Sequence, residues 1–355
     1  MTDLPAIALD AMGGDSGVET ILDGAAMALA AGVAARFIFS GDEQKLRPLL
    51  AARSDLATVS SIRHAEGVVA MADKPSQAMR RRDTSLWGAV AAVKAGDAKA
   101  AVSCGNTGAL MAVSKLQLRM IAGVARPAIA ALWPTPRGRC VVLDVGANVE
   151  ADADQLVQFA IMGEAFFRAL TGEAQPSVGL LNVGAEELKG HELIRTAGQM
   201  LRAADPDMNF KGFVEGDDIS AGAVDVIATD GFSGNIALKS AEGAARLVSV
   251  FLKEALTSSL WSKIGALVAR GALLRLKDRM DPSSVNGGVF LGLNGIIVKS
   301  HGGSDAKGVS SAIAMAADLA RSPFNEEIAA TVARVEARLE DRPGLRAQNC
   351  EAAAS

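Results

Sequence analysis

Six glycine-bearing turns hold the residues of this chain best suited to chemistry, because each sets an Asp, Asn, Ser or His beside a glycine. They lie at Gly13-Gly14, Gly105 and Gly108, Gly146, Gly184, Gly231 and Gly234, and Gly302-Gly303. Any one of them read alone is a plain turn. In Ser103-Cys104-Gly105-Asn106-Thr107-Gly108 a strand-like run enters the turn and a helix-like stretch leaves it. Such a junction aims free N–H groups and the positive end of a helix at an anion. Asn106 or Thr107 could equally serve as a helix N-cap and nothing more. The segment Asp10 to Asp15 has a similar form, with Gly13 and Gly14 able to adopt an anion-binding nest. Two nests on one crevice point to phosphate rather than to a neutral ligand. Lys189, Lys239, Lys299 and His301 stand beside these turns. Singly each reads as a solvated surface group; around a shared cleft they could neutralise phosphate or a developing oxyanion.

Other chemistries are poorly supplied. The chain has no G-x-x-x-x-G-K-[ST], and no G-x-G-x-x-G opens a helix after a strand, which argues against an ATPase or an ordinary nicotinamide enzyme. Gly231-Phe-Ser-Gly-Asn235 approaches a nucleophile elbow, but Asn235 stands where the last glycine belongs. Cys104 could be a nucleophile beside a helix N-terminus, or a small buried residue under the turn. No H-E-x-x-H and no clustered Cys/His set appears, so neither a metal nor a cofactor is expected.

The elements that must position these turns alternate along the chain. Short apolar runs, among them Ile7–Asp10, Phe37–Ser40, Ala100–Ser103, Ile129–Trp133, Cys140–Asp144, Val178–Asn182, Asp225–Thr229 and Gly295–Lys299, read as strands. Several are apolar on both faces, as buried parallel strands are. Stretches such as Gly17–Ala31, Thr107–Ile121 and Asp152–Leu170 are long enough for crossover helices. The fold class expected is α/β, a doubly wound, mostly parallel sheet with the glycine turns at the carboxyl ends of its strands. Two lobes divided near Pro134–Pro136 remain the alternative. Half of the 355 residues are hydrophobic, enough for a large core. The formal net charge of -4 argues against a nucleic-acid partner gripped by the whole surface. Three scattered cysteines suit a reducing cytosol, and Asp3 stands where an export signal would be basic.

Seven motifs in order, IALDAMGGD, KPSQAMRRR, SCGNTGAL, LDVGAN, NVGAEELKG, DGFSGNIALK and KSHGGSD, resemble those of the bacterial phosphate acyltransferases of phospholipid synthesis. The resemblance covers about Ile7 to Pro323. It implies transfer of a long-chain acyl group from acyl-ACP to inorganic phosphate, the acyl phosphate then feeding glycerol 3-phosphate acylation. It implies an α/β/α sandwich similar to phosphotransacetylases, a fold shared broadly with isopropylmalate-type dehydrogenases, assembled as a homodimer. Matched to these motifs, Lys189 and Asn235 become the central catalytic pair, with His301 a weaker candidate for protonating the leaving thiolate. Asp10, Gly13, Gly14, Ser103, Gly105, Asn106, Thr107, Gly108, Lys239 and Lys299 become the binding set for phosphate or the pantetheine arm. Phosphate is itself a nucleophile, so direct transfer without an acyl-enzyme is expected.

Two further surfaces stand out. Leu247 to Met280 carries six Lys or Arg against two acidic residues, a local charge of +4, among Leu260, Trp261, Leu267 and other apolar residues. That make-up fits a helix lying in a lipid interface, and a dimer-packing helix pair with a basic rim equally well. The family's peripheral association with the inner face of the cytoplasmic membrane favours a projection that does both. ACP is acidic, and Arg80-Arg81-Arg82 is the densest basic cluster available to it. The expected plan is one catalytic α/β/α unit over residues 1–340, including the projection at 241–281, then a tail at 341–355. A downstream glycerol-phosphate acyltransferase is the expected partner. The competing readings are an isopropylmalate-type dehydrogenase and a non-catalytic lipid-binding scaffold.

Overall fold

Alternation of side chains along the apolar runs builds two core layers on one sheet. In the computed structural model, which describes residues 4–274 and 287–341, Ile7 and Leu9 join one core and Ala6 and Ala8 the other. Ile296 and Val298 divide from Ile297 in the same way. This is the period of two that a strand imposes when helices cover both faces. One face is covered by helices that include Gly17–Ala30, Ala153–Thr171 and Ala306–Leu319, the other by helices that include Ser85–Ala95 and Thr107–Leu118. The α/β/α sandwich expected from the sequence is the one observed.

The strands are β1 (Ala6–Asp10), β2 (Arg36–Gly41), β3 (Ser60–His64), β4 (Ala100–Ser103), β5 (Ala128–Thr135) and β6 (Gly138–Leu143). β7 (Ser177–Leu181), β8 (Asn209–Val214), β9 (Val226–Ala228), β10 (Gly288–Leu291) and β11 (Ile296–Lys299) complete the described set. Their order across the sheet is β3-β2-β1-β4-β11-β10-β5-β6-β9-β7-β8. Pro134 and Thr135 close the β5–β6 hairpin, pairing with Arg139 and Gly138, so Pro134–Pro136 is a hairpin tip within a continuous sheet.

β10 was not foreseen, and it decides the architecture of the site. Its sequence, GVFL, is short and flanked by glycines and asparagines, so no alternating pattern marks it. It pairs antiparallel with both β11 and β5, and β5 pairs antiparallel with β6. In consequence β3, β2, β1, β4 and β11 run one way, while β6, β9, β7 and β8 run the other. The expectation that all six glycine turns line one crevice is corrected here. Within the chain they leave the sheet in two rows, at opposite ends of oppositely directed strands.

Candidate active site

The first row stands beyond β1, β4 and β11, where the register sets Leu9 beside Val102 and Ser103 beside Lys299. Asp10 is buried and accepts hydrogen bonds from Ser85 Oγ at 2.6 Å and Ser103 Oγ at 2.7 Å. Burial pushes its carboxyl pKa up against the pull of those hydroxyls. Ser103 Oγ also accepts from the Gly105 N–H at 3.0 Å. A Cβ on Gly13 would lie 2.3 Å from Asp10 Oδ2, so the turn can close this tightly only with glycine. Lys299 is 8 % exposed and donates from Nζ to the carbonyls of Cys104 and Ser300. Its burial lowers the ammonium pKa to about 8. Cys104 is buried, and the same desolvation raises its thiol to about 11, which leaves little thiolate for attack.

Asn106 is the N-cap of the helix Thr107–Leu118, its Oδ1 accepting from Ala109 N–H at 3.0 Å. Its Nδ2 donates to the carbonyls of Met71 and Asp73, which ties down the segment leading to Lys74. Gly108 lies against Pro75, where an added Cβ would sit 3.0 Å from Cγ. The basic cluster therefore flanks the first row: Arg81 pairs with Asp73 at 3.6 Å, Arg82 lies 5.7 Å from the Trp87 ring centroid, and Arg80 is exposed. His301 belongs to this row too, its Nδ1 accepting from Gly303 N–H at 3.2 Å. The polar side chains of Asp10, Ser103, Asn106 and Lys299 are thus bound internally. What this row offers a ligand is chiefly backbone.

The second row stands beyond β6, β9 and β7, where Leu143, Ala228 and Leu180 are in register. Its pivot is Asp144, fully buried just past β6. Asp144 accepts from the N–H groups of Ile129, Gly146, Ala147 and Asn148 and from Asn148 Nδ2, at 2.6 to 3.1 Å. The helix Gly231–Thr257, capped by Asp230, begins directly against this turn. Added Cβ atoms would lie 2.3 Å from Asn148 O at Gly231 and 1.9 Å from Asp144 O at Gly234. Next to Gly234 stands Asn235, exposed, with Nδ2 donating to Val145 O at 3.0 Å and its second N–H left for another acceptor. Lys239, one helical turn on, is exposed and paired with Glu242 at 2.8 Å.

Lys189 sits in the loop that follows β7. Its ammonium meets Glu186 Oε1 at 2.8 Å, and that bond holds the lysine pKa up and the Glu186 pKa down. Lys189 and Asn235 therefore share one end of the sheet, as charge and donor presented to solvent over a buried framework. His301 does not share it. Three strand spacings, about 14 Å, separate β11 from β6 across the sheet.

A family model described as fatty acid synthesis protein matches residues 6–327. A protein named phosphate acyltransferase from Maricaulis maris (strain MCS10) is 55 % identical over 94 % of this chain and 96 % of its own. Another of that name, from Rhodospirillum centenum (strain ATCC 51521 / SW), is 52 % identical over the whole of both chains. The chain belongs to the phosphate acyltransferase family. It is an acyltransferase, which removes the dehydrogenase and scaffold readings. Among solved structures, a phosphotransacetylase from Streptococcus pyogenes superimposes with a TM-score of 0.62 at 17 % identity, covering 90 % of this chain and 95 % of that one. A 4-hydroxythreonine-4-phosphate dehydrogenase from Klebsiella pneumoniae gives 0.53 at 15 %, covering 91 % and 99 %. Both likenesses concern the fold.

Sequence reasoning missed Asp144, Asn148 and Asn182, the buried polar residues under the second row. A signal for Asp144 was present in this phosphate acyltransferase sequence. Leu9-Asp10 and Leu143-Asp144 both end an apolar strand and are followed by glycine within three residues, so the role found for Asp10 was readable for its counterpart.

Proposed function

We propose that this acyltransferase moves a long-chain acyl group from acyl-ACP to inorganic phosphate, with Lys189 and Asn235 at the transfer site. The pairing of an exposed ammonium and an exposed amide donor on one end of the sheet carries the reading. A phosphate oxygen attacks the thioester carbon, the C–S bond breaks, and the proton that HPO4 2− carried ends on the departing thiol. The products are an acyl phosphate dianion and free ACP. Lys189 offsets charge on phosphate and the tetrahedral intermediate, while the unused Asn235 N–H donates to the oxyanion. One such donor contributes about 3 kcal/mol. Because phosphate brings both the nucleophile and the proton, the distant His301 need not act. Cys104, buried with a raised pKa, supports direct transfer over an acyl-enzyme.

The first row supplies the second half of the reading. Backbone amides around Gly13, Gly14, Gly105, Thr107 and Gly108, with Lys299 beneath them, receive the phosphate of the donor's pantetheine arm, and Arg80, Arg81 and Arg82 dock the acidic carrier. The acyl phosphate goes on to glycerol 3-phosphate acylation by a partner enzyme at the membrane. Beyond Gly234 the helix Gly231–Thr257 buries no residue, and Leu260, Trp261 and Leu267 are exposed on the helix that follows. That apolar surface supports a homodimer contact and a peripheral hold on the inner face of the cytoplasmic membrane. Arg275, Lys277, Arg279 and the tail from 342 lie outside the described residues. No helix among the described residues is long and apolar enough to cross a membrane.

The deciding experiment is acyl phosphate formation from acyl-ACP and phosphate, without added metal or nucleotide. Lys189→Ala and Asn235→Ala should each lower kcat 100- to 1,000-fold, and His301→Ala should change it less than threefold. Wild-type rates in both single variants would refute the site, and an acyl adduct trapped on Cys104 or Ser233 would refute direct transfer.

A further inference from the structure

The loop that presents Lys189 has little apolar packing to hold it. Its two large apolar residues, Val183 and Leu188, are 74 % and 86 % exposed, so desolvation of side chains cannot fix its shape. Asn182, by contrast, is 8 % exposed at the point where β7 ends, and its own N–H continues the sheet to Val214 O at 2.8 Å. From that anchored position its Nδ2 donates to the carbonyl of Gly184 at 3.2 Å and to the carbonyl of Lys189 at 3.0 Å. One amide nitrogen thus grips the loop near its start and at the lysine itself.

The orientation of that amide is fixed by its neighbours. Turned over, it would set Oδ1 against two carbonyl oxygens and lose both bonds. As it stands, Oδ1 has no hydrogen-bond donor among the described residues and faces Gly190. A Cβ on Gly190 would lie 1.8 Å from Oδ1, and Gly190 has φ +83°, so glycine is required there on two grounds. Leaving a buried acceptor unpaired costs about 1–3 kcal/mol, which is the mark of an arrangement kept for placement rather than for stability. Gly184 does the complementary task for the side chain. An added Cβ would lie 2.3 Å from Lys189 Cδ, so the lysine stem lies directly on the Gly184 Cα before its ammonium reaches Glu186.

From these contacts we infer that Asn182, helped by Gly184, is the positioning residue that sets Lys189 for transfer. The inference rests on the reading that Lys189 serves the reaction. Asn182 touches neither reactant; it acts through the main chain of the lysine.

The test compares Asn182→Asp with the wild-type protein in the acyl phosphate assay. Aspartate keeps the volume and removes both donors. The expected result is a 10- to 100-fold loss in kcat, less than a threefold change in KM for phosphate, and faster amide exchange confined to residues 183–190. If Asn182→Asp fails to fold, Gly184→Ala tests the same placement from the side of the stem and should give the same kcat loss. Should the folded variant keep kcat within threefold of wild type while Lys189→Ala is inactive, the positioning role is lost and the catalytic one survives. Should Lys189→Ala itself retain wild-type activity, the reading beneath the inference has failed.

Discussion

Asp10 and Asp144 hold matching places at the two ends of the sheet: each stands at or just past the last residue of a strand, buried, its carboxylate bonded to the turns around it. The bonding differs in kind. Asp10 is held by two hydroxyls, from Ser85 and Ser103, which link three segments of chain. Asp144 accepts from four backbone N–H groups and one side-chain amide, and so shapes a single turn and ties it to β5.

That difference should appear in stability. Asp144→Ala strands the larger set of donors and should destabilise the protein by about 3 kcal/mol or more, whereas Asp10→Ala should cost about 1–2 kcal/mol. Urea unfolding midpoints would rank them, and an equal or reversed order would contradict the assigned bonding.

The start of the helix Gly231–Thr257 is packed against Asp144 so closely that Gly234 has no room for a methyl group. Gly234→Ala should push the helix outward and move Asn235 with it, lowering kcat about 100-fold for a shift on the order of 1 Å. Gly243, in the same helix, has nothing within 4 Å of an added Cβ. Gly243→Ala should leave kcat alone and stabilise by about 0.5–1 kcal/mol. Similar kinetics in the two variants would deny the close contact its role.

Lys299 should give stability a distinctive pH dependence. Its folded pKa, about 8, lies below the ordinary lysine value of 10.5. Between those limits the unfolded chain binds more protons than the folded one, so the lysine's contribution to stability rises with pH across that window. The penalty below it amounts to at most about 3 kcal/mol. Unfolding of wild type and Lys299→Met, followed from pH 7 to 10.5, should show a difference that shrinks as pH rises. A pH-independent difference would mean that Lys299 titrates normally.

The apolar surface of the helix Leu260–Val268 gives a prediction about lipid. Replacing Leu260, Trp261 and Leu267 together by Ser should abolish co-flotation with vesicles containing anionic lipid, while the unfolding midpoint stays within about 2 °C, because none of the three is buried. If flotation persists, the surface packs against a second chain and not against lipid.

Much of this protein is legible without coordinates because its signals are local. A run such as AIALD needs only alternation and flanking polarity to read as a buried strand, and glycine next to Asp or Asn marks the turn that ends it. The ordered motifs likewise fix the family, since they depend on residue type and sequence alone. What the residues in each turn face was another matter. Asn106 had two readings as a residue and one as a neighbour, once Ala109, Met71 and Asp73 were in place around it.

The amino-acid order determined an α/β/α acyltransferase whose glycine turns carry its chemistry. Tertiary structure alone decided which turns meet. Strand direction is a pairing property: GVFL bonds antiparallel to segments far away in the chain, and with the β5–β6 hairpin it reverses half the sheet. That reversal puts Lys189 with Asn235 and sends His301 and Lys299 to the other end, a separation set by hydrogen bonds between distant residues that no local pattern encodes.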